Sequence, residues 1–445
     1  MALTTPDTIR TLQRKLYRKA KQETAFRFYS LYDKVYRADT LSHAYDLVRA
    51  NKGSAGIDGV TFAAIEATEG ATAFVAELAE ALKNQTYKPS PGRRVMIPKS
   101  NGSMRPLGIP TIRDRVAQMA VKLVIEPIFE ADFCETSYGF RPRKSTHDAV
   151  EDVSHSLNRG YTEVIDADLS RYFDTIPHAK LMTLVAERIS DGQILHLLRM
   201  WLKAPVVEED QDGTKRTVGG GKDNRLGTPQ GGVISPLLAN LYLHLLDRIW
   251  ERRRLQQRLG ARIVRYADDI VILCRRGHER PLAVLKQILE RMELILNPDK
   301  TRIVDVFQDR FDFLGFEIQM GKSRRTGNHY AHVQPSKKAI KTIKDRVTDL
   351  TERNRTRLPL EVVVTEVNRT VRGWVNYFHF RNCSKVLEHV RGHVEERLRT
   401  HLRKRHKVRN RREGYARFGN RVLYAQYGLY KVPTTAGWTR AHALR

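Results

Sequence analysis

The stretch Arg262–Cys274 (RIVRYADDIVILC) constrains this chain more than any other. Two adjacent acids, Asp268 and Asp269, sit between apolar, β-branched runs that read as the two arms of a hairpin. A carboxylate in such a setting needs a cation, because an unpaired buried charge is costly. The plainer alternative is an acidic turn at a solvent-exposed hairpin tip. A second cluster weighs against that alternative. Residues 161–174 (YTEVIDADLSRYFD) read as a strand that ends in acids and turns into a helix, and alternation puts Asp166 and Asp168 on one face with Val164. Two strand-borne clusters about 100 residues apart are what a two-metal site requires. There, carboxylates hold two Mg²⁺ ions about 4 Å apart, one activating the attacking oxygen and one stabilising the leaving oxygen. Oxygen donors of this kind suit Mg²⁺, and no His/Cys cluster offers a competing site.

Between the clusters lies RLGTPQGGVISPLLAN (225–240), whose glycines let another backbone approach closely. Ser235 and Pro236 suit the N-cap and first turn of a helix running through Trp250. A Walker phosphate loop is excluded, because Gly315 precedes Gly321-Lys322 at a spacing one residue too long. Elsewhere, residues 8–50 and 71–84 read as helical and 51–59 as a glycine-rich loop. Residues 94–99 and 104–109 read as a hairpin turning at Asn101-Gly102, and 161–167, 261–266, 270–274 and 311–318 read as strands. The mixture lacks the regular rhythm of a doubly wound sheet. Composition changes after about residue 322, and a break is expected at 322–335.

Charge narrows the partner. Lys and Arg total 78 against 50 Asp and Glu, a net +28 over 445 residues, which calls for a polyanion: nucleic acid or an anionic membrane surface. Residues 381–445 hold 17 Lys/Arg and 4 Asp/Glu, a net +13, nearly half of the total. No run approaches the roughly 18 apolar residues of a spanning helix, and the N-terminus has no apolar signal core. Cys134, Cys274 and Cys383 lie far apart, which excludes a disulfide framework or a cysteine-rich zinc module and points to a reducing compartment.

Asp168 in its strand-to-helix turn, the GTPQGG loop and the Tyr-Ala-Asp-Asp box, in this order, resemble reverse transcriptases. The strings IPKSNGSMRPLGIPTIRDRVAQ (97–118), EPIFEADFCETSYGFRP (126–142), GTPQGGVISPLLANLYLH (227–244), YADDIVIL (266–273), LNPDKTRI (296–303) and FLGFEI (313–318) resemble the group II intron reverse transcriptase/maturase family. The resemblance implies an α+β right-hand polymerase. A helical N-terminal extension (1–44) would precede fingers and palm with antiparallel sheet (45–322). An α-helical thumb/maturase domain with a basic tail (335–445) would follow, without an endonuclease domain.

It also implies roles. Asp168, Asp268 and Asp269 would be the catalytic triad, with Asp168, Leu169, Asp268 and Asp269 as the positions on two Mg²⁺ ions. Phe173 would be an aromatic gate against the ribose 2′-OH, and Lys99 and Arg105 would clamp the triphosphate, which needs charge-assisted donors. Gln230 would lie near the nucleotide, and Lys300 would donate a proton to pyrophosphate. Asp166 and Asp174 would pair locally. Trp374, Tyr377 and Phe378 would be a helix's core stripe. Arg391, Arg397, Arg399, Arg403 and Arg405 would meet nucleic-acid phosphates.

The partners so implied are group II intron RNA, an RNA template, a DNA primer and dNTPs, with no membrane and with a homodimer left open. The implied location is the bacterial cytosol, associated with the nucleoid. Two alternatives stay open: a catalytically inactive RNA-binding splicing factor, and a domesticated reverse transcriptase in phage defence or CRISPR adaptation.

Overall fold

The structure is a computed structural model that describes residues 3–98, 102, 104–209, 212 and 214–437. Its centre is a four-stranded antiparallel sheet built from β3 (Glu163–Ala167), β6 (Ala261–Tyr266), β7 (Asp269–Cys274) and β8 (Arg302–Asp305), in the order β6-β7-β3-β8. Strand alternation divides its side chains between two cores. Ile165, Ala167, Ile263, Ile270 and Ile272 face a large helical core. Val164, Val264, Val271, Leu273 and Val304 face a second one, where helix Thr146–Asn158 and a three-stranded sheet pack. With both faces covered, the strands read as almost continuous apolar runs.

A second sheet, ordered β2-β1-β4-β5, stands beside the first. Its hairpin of β1 (Gly92–Pro98) and β2 (Met104–Ile109) has the expected position, with Ile97 opposite Arg105. Lys99, expected on the first arm, lies outside the described residues. Strands β4 (Val206–Glu209) and β5 (Lys215–Gly219) were not expected: β5 is polar and mostly exposed, so it carries no apolar alternation.

The third sheet corrects two boundaries. Residues 311–318 do not form one strand. Leu314 and Gly315 both take positive φ (50° and 83°) and turn β9 (Phe311–Phe313) back onto β10 (Phe316–Lys322). The expected break at 322–335 falls inside a hairpin, because β10 pairs along its whole length with β11 (His329–Pro335). The helical unit begins only at Lys337, capped by the Ser336 side chain on the amide of Ala339. The composition change therefore marks where strands stop, not where the core does.

Residues 3–44 pack into the main body. Helix Asp7–Gln22 lies on helix Ile112–Glu130, and its Leu16 and Ala20 belong to the main helical core. Buried Arg188 fastens its end by donating to the carbonyls of Ala20, Glu23, Thr24 and Phe26. Helices Lys337–Leu350, Leu360–Phe378 and Ser384–Arg405 share a third core. The aromatic stripe of the middle helix also reaches the palm: the Tyr377 ring stacks on Phe316 at 5.6 Å, and its hydroxyl donates to the Leu314 carbonyl.

Candidate active site

The β6–β7 hairpin closes with Tyr266 opposite Asp269, so Ala267 and Asp268 form a two-residue turn. Ala267 sits at φ +56°, where a Cβ costs about 1 kcal/mol or more. On the neighbouring strand, Ala167 pairs with Ile270, so one step further Asp168 comes opposite Asp269. The two sequence clusters therefore meet at one end of the palm sheet.

Beyond β3 the chain continues as an extended stretch. The Asp168 carbonyl accepts from the Asn297 amide and the Ser170 amide donates to the Ile295 carbonyl, around a bridge between Leu169 and Leu296. The Leu169 side chain is buried, so only its backbone carbonyl, which takes no part in this bridge, could serve an ion. After the bridge, Asn297 accepts the Asp299 amide on its side chain and the Thr301 amide on its carbonyl. That turn delivers Lys300, whose Nζ lies 3.1 Å from Asp168 Oδ2.

The acids repel one another. Desolvation by the surrounding walls pushes Asp269 up to about 7, with Asp268, Asp166 and Asp168 adding and Lys300 opposing. Desolvation raises Asp268 too, against the pull of Arg105. Asp166 is pushed up to about 6 by burial, although Arg302 opposes this. Carboxylates this crowded are short of positive charge, and their hard oxygens match a divalent ion such as Mg²⁺. Among the described residues, no three His, Cys, Asp or Glu side chains are gathered closely enough to hold a metal by themselves. An ion here would take part of its shell from water or substrate oxygens, as Mg²⁺ commonly does.

The raised Asp269 has a stability consequence. Its folded value lies above the ordinary carboxylate value, so its contribution is greatest in acid and is lost as pH rises toward 7. Asp269→Asn should therefore raise the melting temperature of chelator-treated protein at pH 7.5, and by less at pH 5. The side chain is exposed, so water screens part of the effect. Thermal unfolding at the two pH values checks this.

A cleft of about 760 Å³ opens in front of Asp168 and Asp268. Asp168, Leu169, Asp268, Arg105, Phe173, Gln230 and Lys300 all line it. Phe173 is partly buried, edge-on to Tyr172 with ring centres 5.6 Å apart. The glycine loop fixes it from behind: the Thr228 amide donates to the Phe173 carbonyl at 2.7 Å, and Gly227 (φ +85°) presses on the Asp174 backbone, where a Cβ would come within 3.0 Å. Gly231 does the same against β2, where a Cβ would lie 2.7 Å from the Gly108 carbonyl oxygen. Gln230 donates from Nε2 to Asp174 Oδ1 at 2.9 Å, which gives Asp174 a local partner. Ser235 departs from expectation. Its hydroxyl donates to the Pro229 carbonyl, and Gln118 on another helix accepts the amides of Val233 and Ile234 at the helix start.

The C-terminal arginines stand differently from the expectation. Arg399 is buried, donating to the Phe418 carbonyl, to Glu396 and to the Asn420 side chain, so it is a strut and not a phosphate ligand. Arg397 donates to Thr351 Oγ1 and the Thr348 carbonyl, Arg403 to the Arg409 carbonyl, and Arg405 to the carbonyls of Thr356 and Leu358. Arg391 stands 3.7 Å from Glu395. The cations that face solvent here include Lys404, Lys407, Arg409 and Arg412. Sequence reasoning placed the charge on this segment correctly but could not tell buried guanidinia from exposed ones.

Residues 97–318 match the family model of reverse transcriptases (RNA-dependent DNA polymerases), and residues 340–419 match the group II intron maturase-specific domain. Protein YkfC of Escherichia coli strain K12 is 35% identical over 368 residues, covering 74% of this chain and 93% of that protein. An uncharacterized 91 kDa protein in the cob intron of Schizosaccharomyces pombe is 28% identical, over 68% of this chain and 45% of its own. Group II intron-encoded protein LtrA of Lactococcus lactis subsp. cremoris is 36% identical over 224 residues, 50% of this chain and 35% of that protein. The chain thus spans less than half of these two intron proteins. On the two matched domains and the near full-length relative, the chain belongs to the group II intron-encoded reverse transcriptase/maturase family.

Proposed function

We propose that this chain copies an RNA template from a primer 3′-OH, adding deoxynucleotides and releasing pyrophosphate, and that its helical part binds the RNA of its own group II intron to assist splicing and mobility. The observation that carries the reading is one cleft lined by Asp168, Asp268, Arg105, Phe173, Gln230 and Lys300, drawn from five separate stretches of sequence. Divalent ions bound there, two Mg²⁺ in this reading, would supply the charge that activates the attacking oxygen and stabilises the leaving one. Asp168, Asp268 and Asp269 would hold them, with the Leu169 carbonyl as an added donor.

The remaining groups position the nucleotide. Arg105, exposed on the finger hairpin, would pair with triphosphate oxygens, and Lys99 would join it there. Gln230 would lie along the base and sugar. The Phe173 ring would occupy the space that a 2′-hydroxyl needs. Lys300, paired with Asp168, would act as the proton donor to the leaving pyrophosphate. Primer extension on a defined RNA template, with and without Mg²⁺, tests the reading. RNA binding without extension would favour the inactive splicing factor instead.

For RNA, the solvent-facing cations carry the expectation. Replacing Lys404, Lys407, Arg409 and Arg412 by Gln should weaken RNA binding and flatten its salt dependence by about 0.7–0.9 per lost phosphate contact. Arg399→Ala should instead cost about 3 kcal/mol of stability, as breaking a buried charge pair does. Affinity titrations at several salt concentrations and denaturant unfolding separate the two effects. Among the described residues, no helix is long and apolar enough to cross a membrane.

A further inference from the structure

Arg265 has no exposed surface, although it is a charged residue in the middle of an apolar strand. Its guanidinium is fully engaged. Nε lies 3.0 Å from both oxygens of Asp247, which is itself buried, and Nη2 reaches Asp247 Oδ2 at 2.5 Å and Ser137 Oγ at 2.6 Å. Nη1 donates to Asn240 Oδ1 at 2.8 Å and to the Ala267 carbonyl at 2.9 Å. Asn240 and Asp247, seven residues apart, lie on one face of helix Ser235–Arg252, which follows the glycine loop. The segment 136–139 closes the other side: the Arg265 amide donates to the Thr136 carbonyl, and the Tyr138 amide to the Arg265 carbonyl. Asn240 Nδ2 donates to the Gly139 carbonyl, and Gly139 lies so close under the turn that a Cβ would come within 2.3 Å of the Ala267 nitrogen.

An ion pair to Asp247 alone would fasten the strand to the helix. The bond to the Ala267 carbonyl does something different. Ala267 is the left-handed residue of the turn whose next two residues are Asp268 and Asp269. A strained turn persists only where its surroundings over-determine it. Here the carbonyl is held by Arg265 and the amide is backed by Gly139.

We infer that Arg265 is a positioning residue: it locks the Ala267 peptide, and through it the orientation of the Asp268 carboxylate toward the cleft and the placement of Asp269 beside it. This rests on the polymerase reading of those two acids. It reaches the chemistry only through them, since Arg265 is fully enclosed and does not line the cleft.

Two variants test it by different routes. Arg265→Lys keeps a positive charge beside Asp247, but a single ammonium cannot span Asp247, Asn240 and the Ala267 carbonyl together. Gly139→Ala pushes the Ala267 nitrogen from below and changes no charge. Both should speed amide hydrogen exchange in the peptide 262–272 about 10-fold, leaving β3 and helix Ser235–Arg252 as in wild type. Both should weaken Mn²⁺ binding to the primer–template complex, read by electron paramagnetic resonance, about 10-fold, and lower kcat about 100-fold while KM for the deoxynucleotide stays within about 3-fold.

Wild-type exchange and Mn²⁺ affinity in a folded Arg265→Lys protein would overturn the inference. So would faster exchange spread evenly over the whole palm, which a merely structural ion pair predicts. If Arg265→Lys fails to fold, Gly139→Ala decides by the same criteria. If wild-type protein extends no primer, the polymerase reading fails, while the exchange comparison still reports whether Arg265 holds the turn.

Discussion

Replacing Asp268 and Asp269 together by Ala should reduce primer extension to the background of a reaction without divalent ions, while RNA affinity stays within about 2-fold of wild type. The separation follows from where the charges lie. Asp268 lines a cleft with Asp168, Arg105 and Lys300, and Asp269 follows it on the same turn, whereas the exposed cations of residues 404–412 stand on the helical part. Removing two like charges from a crowded site also relieves repulsion, so the variant should melt no lower than wild type in chelator at pH 7.5. Loss of extension therefore cannot be put down to unfolding. Gel-based extension, filter binding and thermal unfolding of one preparation give all three readings. Surviving extension would show that the acids are not the ion ligands.

The second large effect concerns sugar choice. Phe173→Ala should raise ribonucleotide incorporation relative to deoxynucleotide by about 100-fold, equivalent to about 2.7 kcal/mol of lost discrimination. The residue is anchored on several sides: Tyr172 abuts the ring, the Thr228 amide holds its carbonyl, and Gly227 closes on the next residue. A steric gate needs such anchoring, because a mobile ring would swing aside for the extra hydroxyl. Phe173→Ala should leave kcat for deoxynucleotides within about 10-fold, since no reacting atom is touched. Unchanged discrimination in single-turnover incorporation would remove the gate role and leave Phe173 as a wall of the cleft.

Much of the cleft was legible in the sequence because chemistry-bearing residues sat in patterns that only one local structure satisfies. Asp268 and Asp269 between two apolar arms could hardly be other than a hairpin tip, and Asn101-Gly102 between two short arms announced the finger hairpin. The glycines of the GTPQGG loop announced close backbone approach, and the structure shows against what: Asp174 for Gly227, and Gly108 for Gly231. What stayed hidden depends on long-range partners. Arg265 reads as an ordinary strand charge until Asp247, Asn240 and Ser137 surround it. Gln118, which meets the helix start after the glycine loop, lies more than one hundred residues from the amides it accepts. Strand β5 has no apolar pattern because its side chains are exposed on both faces. The FLGF string looked like a continuous strand because its apolar residues conceal a two-residue reversal at Leu314-Gly315. Arg399 shares its neighbours' composition yet is enclosed by Glu396, Asn420 and Phe418, and only the fold distinguishes it.

The most direct test of the central claim is anomalous diffraction from crystals of the protein with an RNA–DNA primer–template and a non-hydrolysable deoxynucleotide, soaked in Mn²⁺. The account predicts two anomalous peaks about 4 Å apart, at least one bridging Asp168 and the Asp268–Asp269 tip, with Lys300 released from Asp168. A fully occupied nucleotide with no peak between those carboxylates, and with Lys300 still paired to Asp168, would contradict it.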